Sequence, residues 1–229
     1  MDADAAQHAY RGTRGRPAVT TEELIRGLAA DRLIGPRVGI SLLTALLLGT
    51  SLVALIFFSA IGFRQDIIWA LGTVRFLFKF VIVVPVAVLA VGGTFHNTTP
   101  LSSPGQWGRL LLAPALLLIL SVILELAIVP STQWVTKAIG SNSVNCMTII
   151  PTLGSIPLIL LIRALRRGAP SNPGLSGALA GLAASGIATT FYATNCFDDS
   201  PLFVITWYPL ATGILVLAGY FSGLRYLRW

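Results

Sequence analysis

The chain has 229 residues, of which 55% are hydrophobic and only 11% are charged, and its mean hydropathy is +0.79. Soluble domains carry charge on roughly a quarter of their residues, so this composition excludes an ordinary soluble globular protein. The formal net charge of +7 comes from arginines scattered over several segments. That scatter argues against a nucleic-acid-binding surface, which would concentrate the basic residues on one face.

The first 36 residues are polar and are predicted to form a cytoplasmic segment without a cleavable signal peptide. Residues 1–19 show no apolar periodicity and predict a disordered tail. The stretch 20–34, TTEELIRGLAADRLI, is different, because Thr20 and Glu23 have the spacing of a capping box and apolar residues recur at helical spacing. It predicts a short amphipathic helix that either lies on the membrane surface or docks into a groove of a partner. Periodicity alone favours the membrane surface.

The remaining chain, 37–229, consists of apolar runs that are long enough to cross a bilayer. These runs predict six transmembrane helices, at about 38–62, 73–94, 109–130, 146–165, 174–194 and 202–224. The predicted fold class is therefore all-α, an integral membrane bundle. Because the connecting loops are short, none of them can hold a folded catalytic domain.

The distribution of Lys and Arg predicts the orientation of the bundle. If the N-terminus is cytoplasmic, only four of the 16 cationic side chains lie at the outer side: Arg64, Arg75, Lys79 and Lys137. An even number of spans then puts both termini in the cytoplasm and the segments 131–145 and 195–201 outside the cell. The cationic inner side also predicts attraction to anionic membrane lipid.

Small residues in spans five and six predict close packing between helices. Gly177, Gly181 and Ser185 follow one another at steps of four residues, and Gly219 and Gly223 repeat the step. Such residues allow two helix backbones to approach closely within a membrane.

Two ionisable residues fall inside predicted spans, where a charge costs roughly 2.5–3.5 kcal/mol. Lys79 in span two and Glu125 in span three reach a similar depth because the two spans are antiparallel. We therefore predict an intramembrane ion pair between them, with Arg75 one turn above. The alternative is that Lys79 and Arg75 extend towards the surface while Glu125 is protonated.

Nothing in the sequence indicates an active site. Ser, His and Asp do not recur in the arrangement of a catalytic triad, and there is no phosphate-binding glycine loop. His96 stands at the inner boundary with no second His or Cys nearby, so it predicts neither a catalytic nor a metal site. We expect no enzymatic activity, no catalytic residue, no metal and no cofactor.

The two cysteines fall at outer helix ends, where Cys146 opens span four and Cys196 closes span five. Three interpretations remain open: a structural disulfide, a redox- or metal-responsive pair, and unrelated packing residues. A disulfide would add little stability between helices that the membrane already anchors, which favours a responsive pair. Asp198 and Asp199 could supply oxygen ligands or solvate the loop, and solvation is favoured.

Five stretches of the sequence form a recognisable set: LIRGLAAD before span one, FLFKF in span two, RRGAP before span five, GALAGLAAS within it and NCFDDSPLFVITWY after it. Together they resemble the NrsF family of bacterial inner-membrane anti-sigma factors, which have six helices. The resemblance covers roughly residues 22–229. It implies a protein that sequesters an extracytoplasmic-function sigma factor without contacting nucleic acid directly.

The resemblance also implies roles for particular residues. Four residues of the N-terminal segment would hold the sigma factor: Leu24, Ile25, Leu28 and Asp31. This implication reverses the preference for the membrane surface. Cys146 and Cys196, with the two neighbouring aspartates, would sense a heavy-metal or oxidative signal in the periplasm and release the sigma factor.

The sequence departs from the family where a histidine often precedes the second cysteine and another follows the tryptophan. Asn195 and Tyr208 stand at these places, which weakens the case for a preformed soft-metal site more than the case for thiol chemistry. The alternatives are a small multi-pass transporter or channel, for which polar residues at mid-membrane depth are few, and a membrane thiol-redox protein, for which a Cys-x-x-Cys pair is missing. The oligomeric state is not predicted.

Overall fold

The structure is a computed structural model that describes residues 20–30, 34–98, 105–168, 170 and 172–227. Within these residues the chain forms α-helices and one short 3-10 turn, and it forms no β-strand. Six helices are long and apolar enough to cross a membrane, so the protein is a multi-pass membrane protein. The predicted all-α fold with six spans is confirmed.

The six long helices agree with the predicted spans to within a few residues at each end. They are α2 (Ile34–Ala60), α4 (Val74–His96), α5 (Gly105–Ile128), α7 (Ser143–Leu165), α8 (Pro173–Ala193) and α9 (Pro201–Tyr226). The described residues also contain three shorter helices: α1 (Thr21–Ala30), α3 (Ile67–Ala70) and, after the 3-10 turn Ser131–Gln133, α6 (Trp134–Ile139). The last two lie in segments that were expected to be loops.

The chain divides into two compact units, Met1–Gly35 and Pro36–Trp229, and α1 belongs to the first. The backbone N–H of Thr20 donates to Oε2 of Glu23 at 3.1 Å, and that of Glu23 donates to Oγ1 of Thr20 at 3.3 Å. These two bonds satisfy donors that the first helical turn leaves free, so the predicted capping box is confirmed. With about 3.6 residues per turn, positions 24, 25 and 28 fall on one side of α1. Asp31 lies outside the described residues.

The second unit is organised around α8, the most buried of its long helices. Helix α8 packs against α9, α4 and α7, whereas α5 is the least buried and contacts α4 and α9. Helix α2 joins the bundle through close packing of Gly49 on Pro157 of α7 and through the ring of Phe57, whose centroid lies 5.9 Å from that of Phe191 in α8.

Small residues bring the backbones of α8 and α9 into contact, as the sequence predicts. A methyl group added at Gly219 would collide with the backbone of Gly177. About two turns further along α8, the hydroxyl of Ser185 donates to the hydroxyl of Thr212 in α9 at 2.9 Å. The close α8–α9 packing fixes the two ends of the loop 194–200 that joins these helices, and this loop carries the candidate site.

Candidate functional site

The candidate site lies at the end of the bundle where α8 gives way to α9. The loop 194–200 meets the segment that follows α2 and the first turns of α4 and α7 there. Five residues from these segments are in contact, and we call them the loop cluster: Arg64, Lys79, Cys196, Asp198 and Asp199.

Asp199 is shared by two buried cations. Its carboxylate lies 2.9 Å from the Arg64 guanidinium and 2.5 Å from the Lys79 ammonium. The side chains of Arg64 and Lys79 are only 4% and 1% exposed. Both cations also donate to the backbone carbonyl of Cys196, at 3.2 Å and 2.9 Å. A buried charge is costly unless it is paired and hydrogen-bonded, so this loop provides what the two cations require.

Arg64 has a second acidic partner within its own segment. Its guanidinium donates to both oxygens of Asp66, at 2.6 Å and 2.8 Å, in the bidentate geometry that makes Arg–carboxylate pairs strong. The hydrogen bonds to Asp66, and then to Asp199, raise the pKa of Arg64, and the guanidinium in turn lowers the pKa of Asp66. The guanidinium also lies 4.7 Å from the ring centre of Phe197.

Sequence reasoning missed the role of Arg64 and Asp66. The available signal was the position of Arg64, a cation on the predicted outer side of a protein whose cations otherwise concentrate on the inner side. Such a cation calls for an acidic partner, and Asp66 stands two residues away. The long-range partner, Asp199, had no comparable signal.

Asp198 anchors the loop to the start of α7. Its Oδ2 accepts hydrogen bonds from the backbone N–H groups of Ser141 and Asn142, at 2.9 Å and 2.8 Å, and from the Asn142 amide at 3.1 Å. Asn142 is the N-cap residue of α7, whose first turn contains Cys146. Each of Asp198 and Asp199 forms bonds that join the loop to other segments, a contact role that the sequence did not indicate.

Both cysteines are buried free thiols, and the structure contains no disulfide between them. They belong to the same cluster of buried residues. Burial raises the pKa of the Cys196 thiol, and the charge of Lys79 opposes this effect. A thiol that is protonated and inaccessible is a weak nucleophile. In the described part of the chain, no group of three or more His, Cys, Asp or Glu residues could hold a metal ion.

The predicted ion pair between Lys79 and Glu125 is wrong. Oε2 of Glu125 accepts from the Ser200 hydroxyl at 2.8 Å and from the backbone N–H of Leu202 at 3.2 Å, at the N-terminus of α9. Its nearest cationic partner is Arg75, 3.8 Å from Oε1. Equal depth in antiparallel spans was not sufficient, because the loop 194–200 places its own carboxylate next to Lys79.

The two ends of the second unit differ in charge balance. At the end with the loop cluster, four cations and four acids sum to zero: Arg64, Arg75, Lys79, Lys137, Asp66, Glu125, Asp198 and Asp199. The charged side chains described at the opposite end are all arginines: Arg109, Arg163, Arg166, Arg167 and Arg225. We call this second end the arginine end.

Comparison with known proteins identifies the family. The family described as NrsF, negative regulator of sigma F, matches residues 28–229, which include the last residues of α1, the whole bundle and the loop cluster. The chain belongs to the NrsF family. The resemblance noted from the sequence stretches is thereby confirmed for nearly the whole length of the chain.

Two curated NrsF proteins align with part of the chain. It is 36% identical over 101 residues to the anti-sigma-F factor NrsF of Caulobacter vibrioides (strain NA1000 / CB15N), covering 44% of this chain and 47% of the relative. It is 30% identical over 90 residues to the probable anti-sigma-F factor NrsF of Azospira oryzae (strain ATCC BAA-33 / DSM 13638 / PS), covering 39% and 42%. The chain thus spans less than half the length of each of these relatives. No solved structure matches it.

Proposed function

We propose that this protein is a membrane-bound anti-sigma factor that holds a sigma factor through α1 and releases it when a signal acts at the loop cluster. The family match over residues 28–229 carries the proposal, because that family is described as a negative regulator of sigma F. The names of the two aligned relatives support it. The partner is a sigma factor of the extracytoplasmic-function class, and the role is regulatory, without enzymatic turnover.

The sigma-binding element is α1, which has the properties of a helix that docks into an apolar groove. It is a helix of 10 residues with a capped N-terminus, and by helical spacing positions 24, 25 and 28 fall on one side of it. Glu22 and Arg26, which point away from that side by helical spacing, are exposed. Asp31, three residues after Leu28 in the sequence, is proposed to belong to the same contact surface.

Replacing both Leu24 and Leu28 by Ala should reduce capture of the sigma factor by at least about tenfold, because two apolar anchors of the helix are removed. Alanine favours helix, so α1 itself should persist. The measurement is co-purification of sigma factors with the full-length membrane protein, quantified by mass spectrometry against the amount of bait.

The matched control is Arg26→Gln, on the opposite side of the same helix, which should capture the sigma factor as the unaltered chain does. Equal capture by the Leu24→Ala/Leu28→Ala variant would remove α1 from the proposal. An equal loss in the Arg26→Gln variant would mean that the whole segment acts through its charge instead of through an apolar face.

We further propose that the protein lies in the bacterial inner membrane with both termini in the cytoplasm. The charge asymmetry of the bundle supports this orientation, since the cytoplasmic ends of membrane proteins carry the excess of Lys and Arg. The arginine end would face the cytoplasm. The loop cluster, whose charges sum to zero, would face the periplasm.

Single cysteines placed at the two ends should report this orientation. In a Cys146→Ser/Cys196→Ser background, Thr132→Cys lies at the exposed turn before α6 and Gln106→Cys at the exposed start of α5. A membrane-impermeant maleimide should label only Thr132→Cys in intact spheroplasts and only Gln106→Cys in inverted vesicles. The reverse pattern would invert the orientation and place the loop cluster in the cytoplasm.

The signal is proposed to be a thiol-reactive one, a heavy metal or an oxidant, acting on Cys146 and Cys196. Two contacts support this role. The Cys196 carbonyl accepts hydrogen bonds from both buried cations, and Cys146 lies in the helical turn whose cap residue is bonded to Asp198. Joining the two thiols within this packed site, through a disulfide or a shared metal ion, would therefore displace the loop and the helices that it joins.

A further inference from the structure

We propose that the arginine end of the bundle carries a specific binding site for an anionic phospholipid, with the lipid phosphate held by Arg163 and Arg166 between α7 and α9. This site is separate from the loop cluster and independent of sigma-factor binding. It is also more specific than a general attraction of the cationic end to the membrane.

A cavity of about 350 Å³ lies between the last two turns of α7 and the end of α9. Its inner wall is apolar and is formed by Leu158, Ile159 and Ile162 of α7. Its rim is polar and contains Arg163, Arg166 and Tyr226. This arrangement matches a phospholipid, whose acyl chains lie along apolar helix surface and whose phosphate lies at the membrane boundary.

Within the described residues, no acidic side chain neutralises the positive charge of the rim. All four acids of residues 36–229 lie at the other end of the bundle: Asp66, Glu125, Asp198 and Asp199. Arg163 and Arg166 are exposed, and within the described residues neither forms an ion pair. Basic pockets between transmembrane helices on the cytoplasmic side are suited to anionic lipid headgroups.

The one contact of Arg166 within the rim leaves its donors available. The Arg166 guanidinium carbon lies 5.8 Å from the ring centre of Tyr226, and that of Arg225 lies 6.0 Å from the same ring. A ring face attracts a guanidinium without using its N–H groups. Those N–H groups form the fork that binds phosphate oxygens. Tyr226 therefore holds the Arg166 side chain at the rim while leaving its N–H groups free to bind an anion.

The experiment is a titration of the purified full-length protein in neutral detergent with phosphatidylglycerol, in which native mass spectrometry counts the bound lipid. The Arg163→Gln/Arg166→Gln variant should bind about thirtyfold more weakly than the unaltered chain, and each single variant about fivefold more weakly. The matched control is Arg109→Gln, an arginine of the same end that does not line the cavity. It should bind as the unaltered chain does.

Two further ligands separate the possible sources of the phosphate. Phosphatidylcholine, with the same chains and a headgroup of no net charge, should bind more weakly, and glycerol phosphate, without chains, should not compete. Equal weakening by Arg109→Gln, or unchanged affinity in the double variant, would overturn the site. If glycerol phosphate competes at the same concentration as the lipid, the site binds a free phosphate compound and the assignment to a lipid is wrong. The melting temperature of each variant without lipid should equal that of the unaltered chain, which shows that weaker binding is not caused by loss of the fold. If the double variant melts at a lower temperature, a single variant that melts normally is used in its place.

Discussion

Replacing Asp199 by Asn should destabilise the protein by about 3–5 kcal/mol, because it leaves two buried cations without their shared carboxylate. Lys79 would then have only uncharged partners, among them the Cys196 carbonyl at 2.9 Å and the Phe76 ring, and its side chain is 1% exposed, so water cannot replace the lost charge without opening the loop. Asparagine preserves the size of the side chain and one oxygen, which limits the change to the loss of charge. The measurement is the midpoint of thermal unfolding of the purified protein in detergent at neutral pH.

Asp66→Asn provides the matched comparison at the same cation. The Asp66 side chain is 40% exposed, so water can solvate the Arg64 guanidinium where the carboxylate was, and the midpoint should fall less than in the Asp199→Asn variant. Adding Lys79→Met to Asp199→Asn should recover part of the loss, because the unpaired ammonium is then absent. Equal midpoints for the Asp199→Asn and Asp66→Asn variants would contradict the shared role assigned to Asp199.

The six spans could be predicted from the sequence because a membrane imposes a simple rule. Backbone groups in lipid must bond within the segment, so each apolar run of sufficient length becomes a helix. The capping box of Thr20 and Glu23 could be predicted for a similar reason, since its two bonds join residues three positions apart. The packing of Gly177 on Gly219 follows from a spacing within each helix.

The candidate site could be predicted only in part, because its bonds join distant segments. That Lys79 and Glu125 need partners follows from the cost of charge in a bilayer, but the sequence does not determine which partners they find. The Asp198 bond to Asn142 joins residues 56 positions apart, and that of Arg64 to Asp199 joins residues 135 positions apart. These contacts depend on how the loop 194–200 folds over the helix ends, which hydropathy does not specify.

The short helices α3 and α6 were missed for another reason. Their lengths of 4 and 6 residues are too small for a periodic pattern to emerge. Each exposes large apolar side chains, such as Trp69 at 71% and Val135 at 68%. Aromatic and apolar side chains at the boundary of a membrane protein suit the interfacial region, so the two helices extend the apolar surface beyond the spans that flank them.

Replacing Cys146 or Cys196 by Ser should leave sigma-factor binding intact and abolish release in response to a thiol-reactive signal. Serine is close in size to cysteine, and neither position belongs to α1, so the resting complex should form normally. A disulfide consumes two thiols and a soft metal ion is held well by two thiolates, so each single variant should be as unresponsive as the double variant. The measurement is a reporter dependent on the sigma factor, read before and after treatment of cells with a cadmium salt or with a thiol oxidant.

The comparison of single and double variants decides how the thiols act. A half-strength response in each single variant would mean that the cysteines react independently and not as a pair. A full response in the double variant would mean that neither cysteine senses the signal. A reporter that is active without treatment, at normal abundance of the anti-sigma factor, would mean that the packed thiols themselves maintain the resting state.

Because both thiols are fully buried, the response should also be slower than reaction of the same reagent with an unfolded chain, since the site must open first. Asp199→Asn, which loosens the loop, should accelerate labelling of Cys196 even when no signal is present, and this acceleration links the ion pairs of the loop cluster directly to the reactivity of its cysteine.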